Sequence, residues 1–315
     1  MVSERADMSR KVSKTSLVKK TNSKPNTFID LFCGIGGFHL ACKQATEQLL
    51  IPKKIAKCIF ACEINENARK TYKTHFEKME PDLFKGNRFA TDITQVKPEE
   101  IDDFRLLCAG FPCQPFSQAG KKLGFEDIRG TMFSHIARII QIKKPEAIFL
   151  ENVNFIKNHN KKQTFTTIKS VLEDELQYHM YYFDVRASDY GLPQHRPRVF
   201  MIGFRDADVV FTPPEKKKLK LTMSDVLGGE VDRKIGFTLR VGGKNSPISD
   251  RRNWDGYVVN GVERRLNLEE AKRMQGFPRS FKFPVSNAEA MRQLGNSVAI
   301  NAVRDYAKQI FKALD

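Results

Sequence analysis

The sequence predicts an α/β fold: an open, doubly wound, mainly parallel sheet with a second, smaller, loop-rich part. Three observations carry this. Residues 26 to about 186 alternate short apolar runs with helical segments, the pattern of strands joined by helical crossovers. The first apolar run enters a glycine-rich turn, where backbone can approach a ligand at the start of a helix. After Gly203 the texture changes: residues 206–262 carry Pro213-Pro214, lysines at 216–218 and 220, two Gly-Gly pairs and few periodic runs.

Thr27 to Leu31 is the first strand, Phe32 to Gly37 its turn, and His39 to Leu50 the following helix. The glycine spacing is not the GxGxxG of dinucleotide binders, which argues against a dinucleotide-dependent oxidoreductase. Cys58 to Cys62 is a second strand with Glu63 at its tip, where a carboxylate is placed to hold ribose hydroxyls. Asp92, in Thr91-Asp92-Ile93-Thr94, suits either an adenine amino group or the cap of a local turn.

Phe104 to Ala109 is a buried strand that Gly110 ends. The loop Gly110 to Ser117 then sets Cys113 between Pro112 and Pro115, each of which fixes φ. A stiff loop at the carboxyl end of a buried strand is where α/β proteins hold reactive groups. Ala147 to Val153 is another buried strand, carrying Glu151 near its end. Gln194, Arg196 and Arg198 share one face of an extended segment before the strand Val199 to Gly203. Helices are expected over Asn67–Thr74, Met132–Gln141, Thr164–Leu176 and Leu266–Met274, with an amphipathic one from Gly295 onward.

In this order the chain resembles the C5-cytosine DNA methyltransferase family, in its prokaryotic, restriction–modification form. The matching pieces are FIDLFCGIGGF at 28–38, CEIN at 62–65, TDIT at 91–94, GFPCQPFS at 110–117 and GFEDIRGTMF at 124–133. They continue with FLENV at 149–153, GLPQHRPRVFMIG at 191–203, RMQGFP at 273–278 and QLGNSVAINAV at 293–303.

The resemblance implies a Rossmann-like methyltransferase domain that takes S-adenosyl-L-methionine and leaves S-adenosyl-L-homocysteine. It implies a catalytic set of Cys113, Glu151, Arg196 and Arg198. Cys113 adds to carbon 6 of cytosine, since a thiolate is a soft nucleophile that can leave again. Glu151 meets nitrogen 3, Arg198 lies near O2 of the base and the nucleophile, and Arg196 and Gln194 support the loop carrying Cys113. The implied cofactor pocket holds Phe32 against adenine, the turn Gly34, Ile35, Gly36 and Gly37 beside the methionine portion, Glu63 on the ribose, and Asp92 with Ile93 on adenine. Ile64, Gly110, Pro112, Met132, Asn296 and Ser297 complete it. Ile64 departs from relatives that often carry an aromatic there.

Double-stranded DNA is the expected partner, with the target base flipped out of the stack. Expected DNA contacts are Ser117, Gln118, Lys121, Lys122 and Arg129 in a closing loop, Gln194, and Arg240, Arg251 and Arg252 in the variable part. The expected division is a basic tail over 1–25, a catalytic and cofactor-binding domain over 26–186, a target-recognition domain over 187–283 with its variable part at 206–262, and a C-terminal helix over 284–315 that returns to the catalytic domain.

Composition agrees. Lysine and arginine total 53 against 37 acids, a formal +16, which favours a polyanionic partner. Seven basic residues lie in 1–25 against two acids, so that stretch reads as a mobile tail. The cysteines lack zinc-site spacing, and no metal is expected. No run of 18 apolar residues occurs. The expected setting is the cytoplasm of a prokaryote, near the nucleoid, or an infected cell, with the protein acting as a monomer beside a restriction endonuclease. Two other readings stand alongside: a C5-cytosine tRNA methyltransferase, and a catalytically silent DNA-binding relative. The intact Cys113, Glu151 and Arg198 disfavour the second.

Overall fold

A computed structural model describes residues 24–49, 55–112, 128 and 130–315. Its centre is a seven-stranded sheet of order β3-β2-β1-β4-β5-β7-β6. The strands are β1 (Thr27–Leu31), β2 (Lys57–Cys62), β3 (Phe89–Ala90), β4 (Leu106–Gly110), β5 (Ala147–Val153), β6 (His179–Arg186) and β7 (Pro197–Phe204). Strands β1 to β5 run parallel, and β7 inserts antiparallel between β5 and β6. Leu31 sits opposite Cys62 on one side and Ala109 on the other, so the tips of β1, β2 and β4 finish level.

The central strands are apolar on both faces because both faces are covered. On one face Phe28, Cys58, Leu106, Cys108, Phe149 and Phe200 join a single apolar cluster. On the other, Ile29, Leu31, Leu107, Ala109, Ile148, Leu150, Val199 and Met201 join a second. Consecutive residues thus enter opposite cores, as the period of a strand requires.

Helix α1 (Gly37–Glu47) packs against α8 (Ile300–Leu314) over the first face. Helix α2 (Glu66–Phe76) starts at Asn65, whose side chain accepts from the Ala68 N–H. Helices α3 (Met132–Lys143) and α4 (Gln163–Ser170) contribute to the second core. The helix expected to reach Leu176 changes character after Ser170, where Val171–Glu175 forms a π-helical turn.

The loop-rich part holds the short α5 (Met223–Leu227) and a hairpin of β8 (Gly256–Val259) and β9 (Val262–Arg265). Asn260 and Gly261 both have left-handed φ, as a two-residue hairpin turn demands. Its apolar residues Met223, Leu239, Trp254 and Tyr257 belong to the same cluster as Phe28, so this part shares a core with the sheet. Helix α6 (Leu268–Gln275) follows, with a capping box between Asn267 and Glu270. The stretch expected to be one helix from Gly295 is broken: α7 (Asn287–Asn296) ends there and α8 begins at Ile300.

One boundary changes. Strand β7 falls in the stretch assigned by sequence to the target-recognition part, yet it pairs on both sides within the main sheet. Its antiparallel entry needs no helical crossover, so the alternation used to place that boundary gave no signal there.

Candidate active site

The tips of β1, β2, β4 and β5 open onto a cavity of about 530 Å³. That volume lies within the range of small-ligand sites, and the position is the one at which open α/β sheets bind ligands. Phe32, Gly34, Ile35, Glu63, Gly110, Pro112, Glu151, Arg196, Arg198, Asn296 and Ser297 line it, all expected from sequence.

On the β1–β2 side the backbone is special. Phe32 has φ of 55°, a left-handed conformation costly for an aromatic residue, and Gly34 repeats it at 55°. The Gly34 N–H donates to Glu63 Oε2 at 2.8 Å, and the Asn65 N–H donates to Glu63 Oε1 at 2.7 Å. Glu63 therefore joins the glycine turn to the start of α2 while facing the cavity. At Gly37 a Cβ would meet Val298 Cγ2 at 2.6 Å and Ser297 Oγ at 2.8 Å, so only glycine lets the turn seat against the α7–α8 junction.

On the β4–β5 side Arg198 Nε contacts Glu151 Oε1 at 2.8 Å, with both side chains largely buried. Asn152 donates to the Phe111 carbonyl at 2.9 Å and so fixes the backbone that leads through Pro112 to residue 113. Cys113, Ser117, Gln118, Lys121, Lys122 and Arg129 lie outside the described residues.

Several expectations change. Gln194 is fully buried: its amide donates to the Met274 carbonyl and to Gln275 Oε1, and its oxygen accepts from Leu239 N. It is thus an internal tie, unavailable to DNA. Arg196 borders the cavity, with both terminal guanidinium nitrogens on the carbonyls of Leu239, Gly295 and Ser297 and its buried Nε left unpaired. That makes it a positioning residue holding the loop-rich part against the α7–α8 junction. Arg240 donates to the carbonyls of Arg251 and Arg252, and Arg252 grips Asp250 with Nε and Nη2. Both arginines build their loop, leaving Arg251 as the member of that trio without such a role.

At the adenine end, Asp92 caps the turn Ile93–Gln95 through the Thr94 N–H at 2.9 Å, which lowers its pKa, and Ile93 is buried. Ile64 is 71 % exposed. Asp92 borders a separate cavity of about 800 Å³ beside β2 and β3. Gly36, Gly37, Ile64, Ile93 and Met132 do not line the 530 Å³ cavity. Sequence reasoning missed Asn65, Ala68, Phe111, Asn152, Val153, Glu289, Arg292, Gln293 and Gly295, which do. The signal for three of them was present: 289, 292, 293 and 296 fall on one helix face leading into Asn296-Ser297.

Burial pushes the thiols of Cys33, Cys58 and Cys108 well above the ordinary thiol range, and that of Cys62 up to about 12. None of these four suits nucleophilic work. Among the described residues no group of His, Cys, Asp and Glu is arranged to hold a metal, and no helix is long and apolar enough to cross a membrane.

The family model for C-5 cytosine-specific DNA methylase matches residues 26–235 and 230–312. The chain belongs to the C-5 cytosine-specific DNA methylase family. As a member it is a DNA (cytosine-5)-methyltransferase. It is 37 % identical to the Type II methyltransferase M1.ScrFI of Lactococcus lactis subsp. cremoris, over 91 % of this chain and 78 % of that protein. It is also 37 % identical to the Type II methyltransferase M.NlaX of Neisseria lactamica, over 91 % and 96 %. Among solved structures the Entamoeba histolytica methyltransferase EhMeth superposes with a TM-score of 0.67 at 20 % identity, covering 93 % of this chain and 98 % of that one, a likeness of fold.

Proposed function

We propose that this methylase acts on a cytosine extruded from a short specific site in duplex DNA, with its base and the methyl donor sharing the 530 Å³ cavity. The supporting observation is that two chemistries meet in that cavity. The Glu151–Arg198 pair and Pro112 lie at one end, and Phe32, Glu63 and the Gly34 turn at the other.

Cytosine carbon 5 is a weak nucleophile until a group adds at carbon 6. Cys113, immediately after Pro112, is the thiol for that addition. The Glu151 carboxyl holds a proton at nitrogen 3, and Arg198, tied to Glu151, holds O2. Carbon 5 then carries the electron pair; once it is methylated, its proton leaves to water and the Cys113 thiolate is expelled from carbon 6, which restores the ring. S-adenosyl-L-methionine, when bound, supplies a methyl group activated on sulfonium sulfur. Its fit rests on the donor set: a carboxylate at the β2 tip for ribose hydroxyls, an aromatic at the β1 tip, and a glycine turn at positive φ with open space beside Gly34. Phe32 and Glu63 orient the adenosine, and Asn296 and Ser297 close the pocket from the α7–α8 junction.

The variable part, with Arg251, reads the DNA. The mark belongs to a restriction–modification pairing in the cytoplasm or in an infected cell, the protein working as a monomer. The test is bisulfite sequencing of duplex DNA treated with the protein and donor, run beside methyl transfer to tRNA. The expected result is one short duplex motif with a protected cytosine. Methyl transfer to tRNA with untouched duplex DNA would replace this reading with the RNA one.

A further inference from the structure

We propose that Glu289 and Arg292 form a clamp for the zwitterionic amino-acid end of the methyl donor. This rests on the reading that the 530 Å³ cavity is the donor site. Helix α7 turns residues 289, 292, 293 and 296 toward the cavity, one face of the helix, and all four are polar. Arg292 Nε meets Glu289 Oε2 at 2.9 Å and its Nη2 meets Oε1 at 3.2 Å.

An exposed pair three residues apart on a helix is ordinarily a surface ornament of little consequence. Here elimination gives it a role. The charged side chains lining the cavity among the described residues are Glu63, Glu151, Arg196, Arg198, Glu289 and Arg292. Glu63 accepts from two backbone N–H groups. Arg196 is fixed by three carbonyls that take both of its terminal nitrogens. Glu151 and Arg198 are already assigned to the cytosine base. What remains is one carboxylate and one guanidinium, side by side. Arg292 is 44 % exposed, and a ligand carboxylate reaches its fork by displacing Glu289 from Nε and Nη2.

An α-amino acid presents the complementary pair, one ammonium and one carboxylate on the same carbon. The ligand carboxylate takes the Arg292 fork, for which planar, two-pronged recognition suits arginine better than lysine. The ligand ammonium takes Glu289. The helix thus exchanges an internal pair for a matched external one, and the cavity gains affinity for the amino-acid end without gaining net charge.

The test is calorimetric binding of two probes: S-adenosyl-L-homocysteine, which carries the amino-acid end, and 5′-methylthioadenosine, which lacks it. Arg292→Ala and Glu289→Gln are expected to weaken the first at least tenfold and leave the second within twofold of wild type. Arg292→Lys, keeping charge but losing the fork, falls between. Unchanged homocysteine-probe affinity in Arg292→Ala overturns the clamp, as does equal weakening of both probes. Wild-type protein that binds neither probe overturns the donor-site reading itself, and one that binds only methylthioadenosine overturns the clamp alone.

Discussion

Arg198, on β7, reaches across the antiparallel pairing to Glu151 on β5, with Nε and Oε1 2.8 Å apart. The pair presents a carboxyl and a guanidinium together to the cavity. Glu151→Gln removes the group that handles a proton while keeping the shape. Its kcat is expected to fall about 100-fold, with S-adenosyl-L-homocysteine affinity unchanged. Tritiated methyl transfer into duplex DNA gives the first number and calorimetry the second. A kcat near wild type would remove Glu151 from the chemistry.

Arg196→Ala strands buried carbonyls of Leu239, Gly295 and Ser297. Leaving buried acceptors unpaired costs about 1–3 kcal/mol each, so urea unfolding is expected to show a loss of roughly 3 kcal/mol or more. A loss of activity with unaltered stability would instead make Arg196 a substrate contact.

How legible was this in the sequence? The glycine turn and the Glu63 tip could be read because backbone geometry admits few residues there: Gly34 borders the cavity, while Gly37 seats the turn against Ser297 and Val298 without lining it. For Gln194 and Arg196 the supporting role implied by resemblance was nearer than a ligand contact, because alternation reports a shared face without reporting what covers it. Chain 40 to 100 residues away folds over that face. At Asp92 a local rule prevailed, since a short aspartate beside its own turn finds the Thr94 N–H first. Glu289 and Arg292 were not singled out, because polar lining of a cavity and polar lining of bulk water have the same period.

Gly37→Ala drives a Cβ into Val298 and Ser297. Overpacking of this kind costs about 1–3 kcal/mol. Thermal unfolding is expected to shift down, and S-adenosyl-L-homocysteine binding to weaken as Ser297 is displaced. Unaltered melting and binding would mean that the turn relaxes freely.

His39 is fully buried, with Nδ1 at 2.7 Å from the Tyr72 hydroxyl and Nε2 at 3.2 Å from Glu80. Burial holds its pKa below 6.5, while Glu80 pulls the other way. The unfolded chain therefore takes up a proton near pH 6.5 that the folded chain resists. This contribution to stability is present above that pH and is lost as pH falls below it. His39→Gln is expected to flatten the stability-versus-pH curve on the acid side in urea melts. His75 and His135, also lowered by burial, leave a residual slope. An identical acid limb in both proteins would contradict the assignment.

The most direct test is a covalent trap. Duplex DNA carrying 5-fluorocytosine at the methylated position is incubated with the enzyme and S-adenosyl-L-methionine, denatured, digested and sequenced by mass spectrometry. Fluorine cannot leave as a proton does, so the account predicts a denaturant-stable adduct on the peptide containing Cys113, absent in Cys113→Ser. An active enzyme that forms no adduct, or one bonded through another residue, would contradict it.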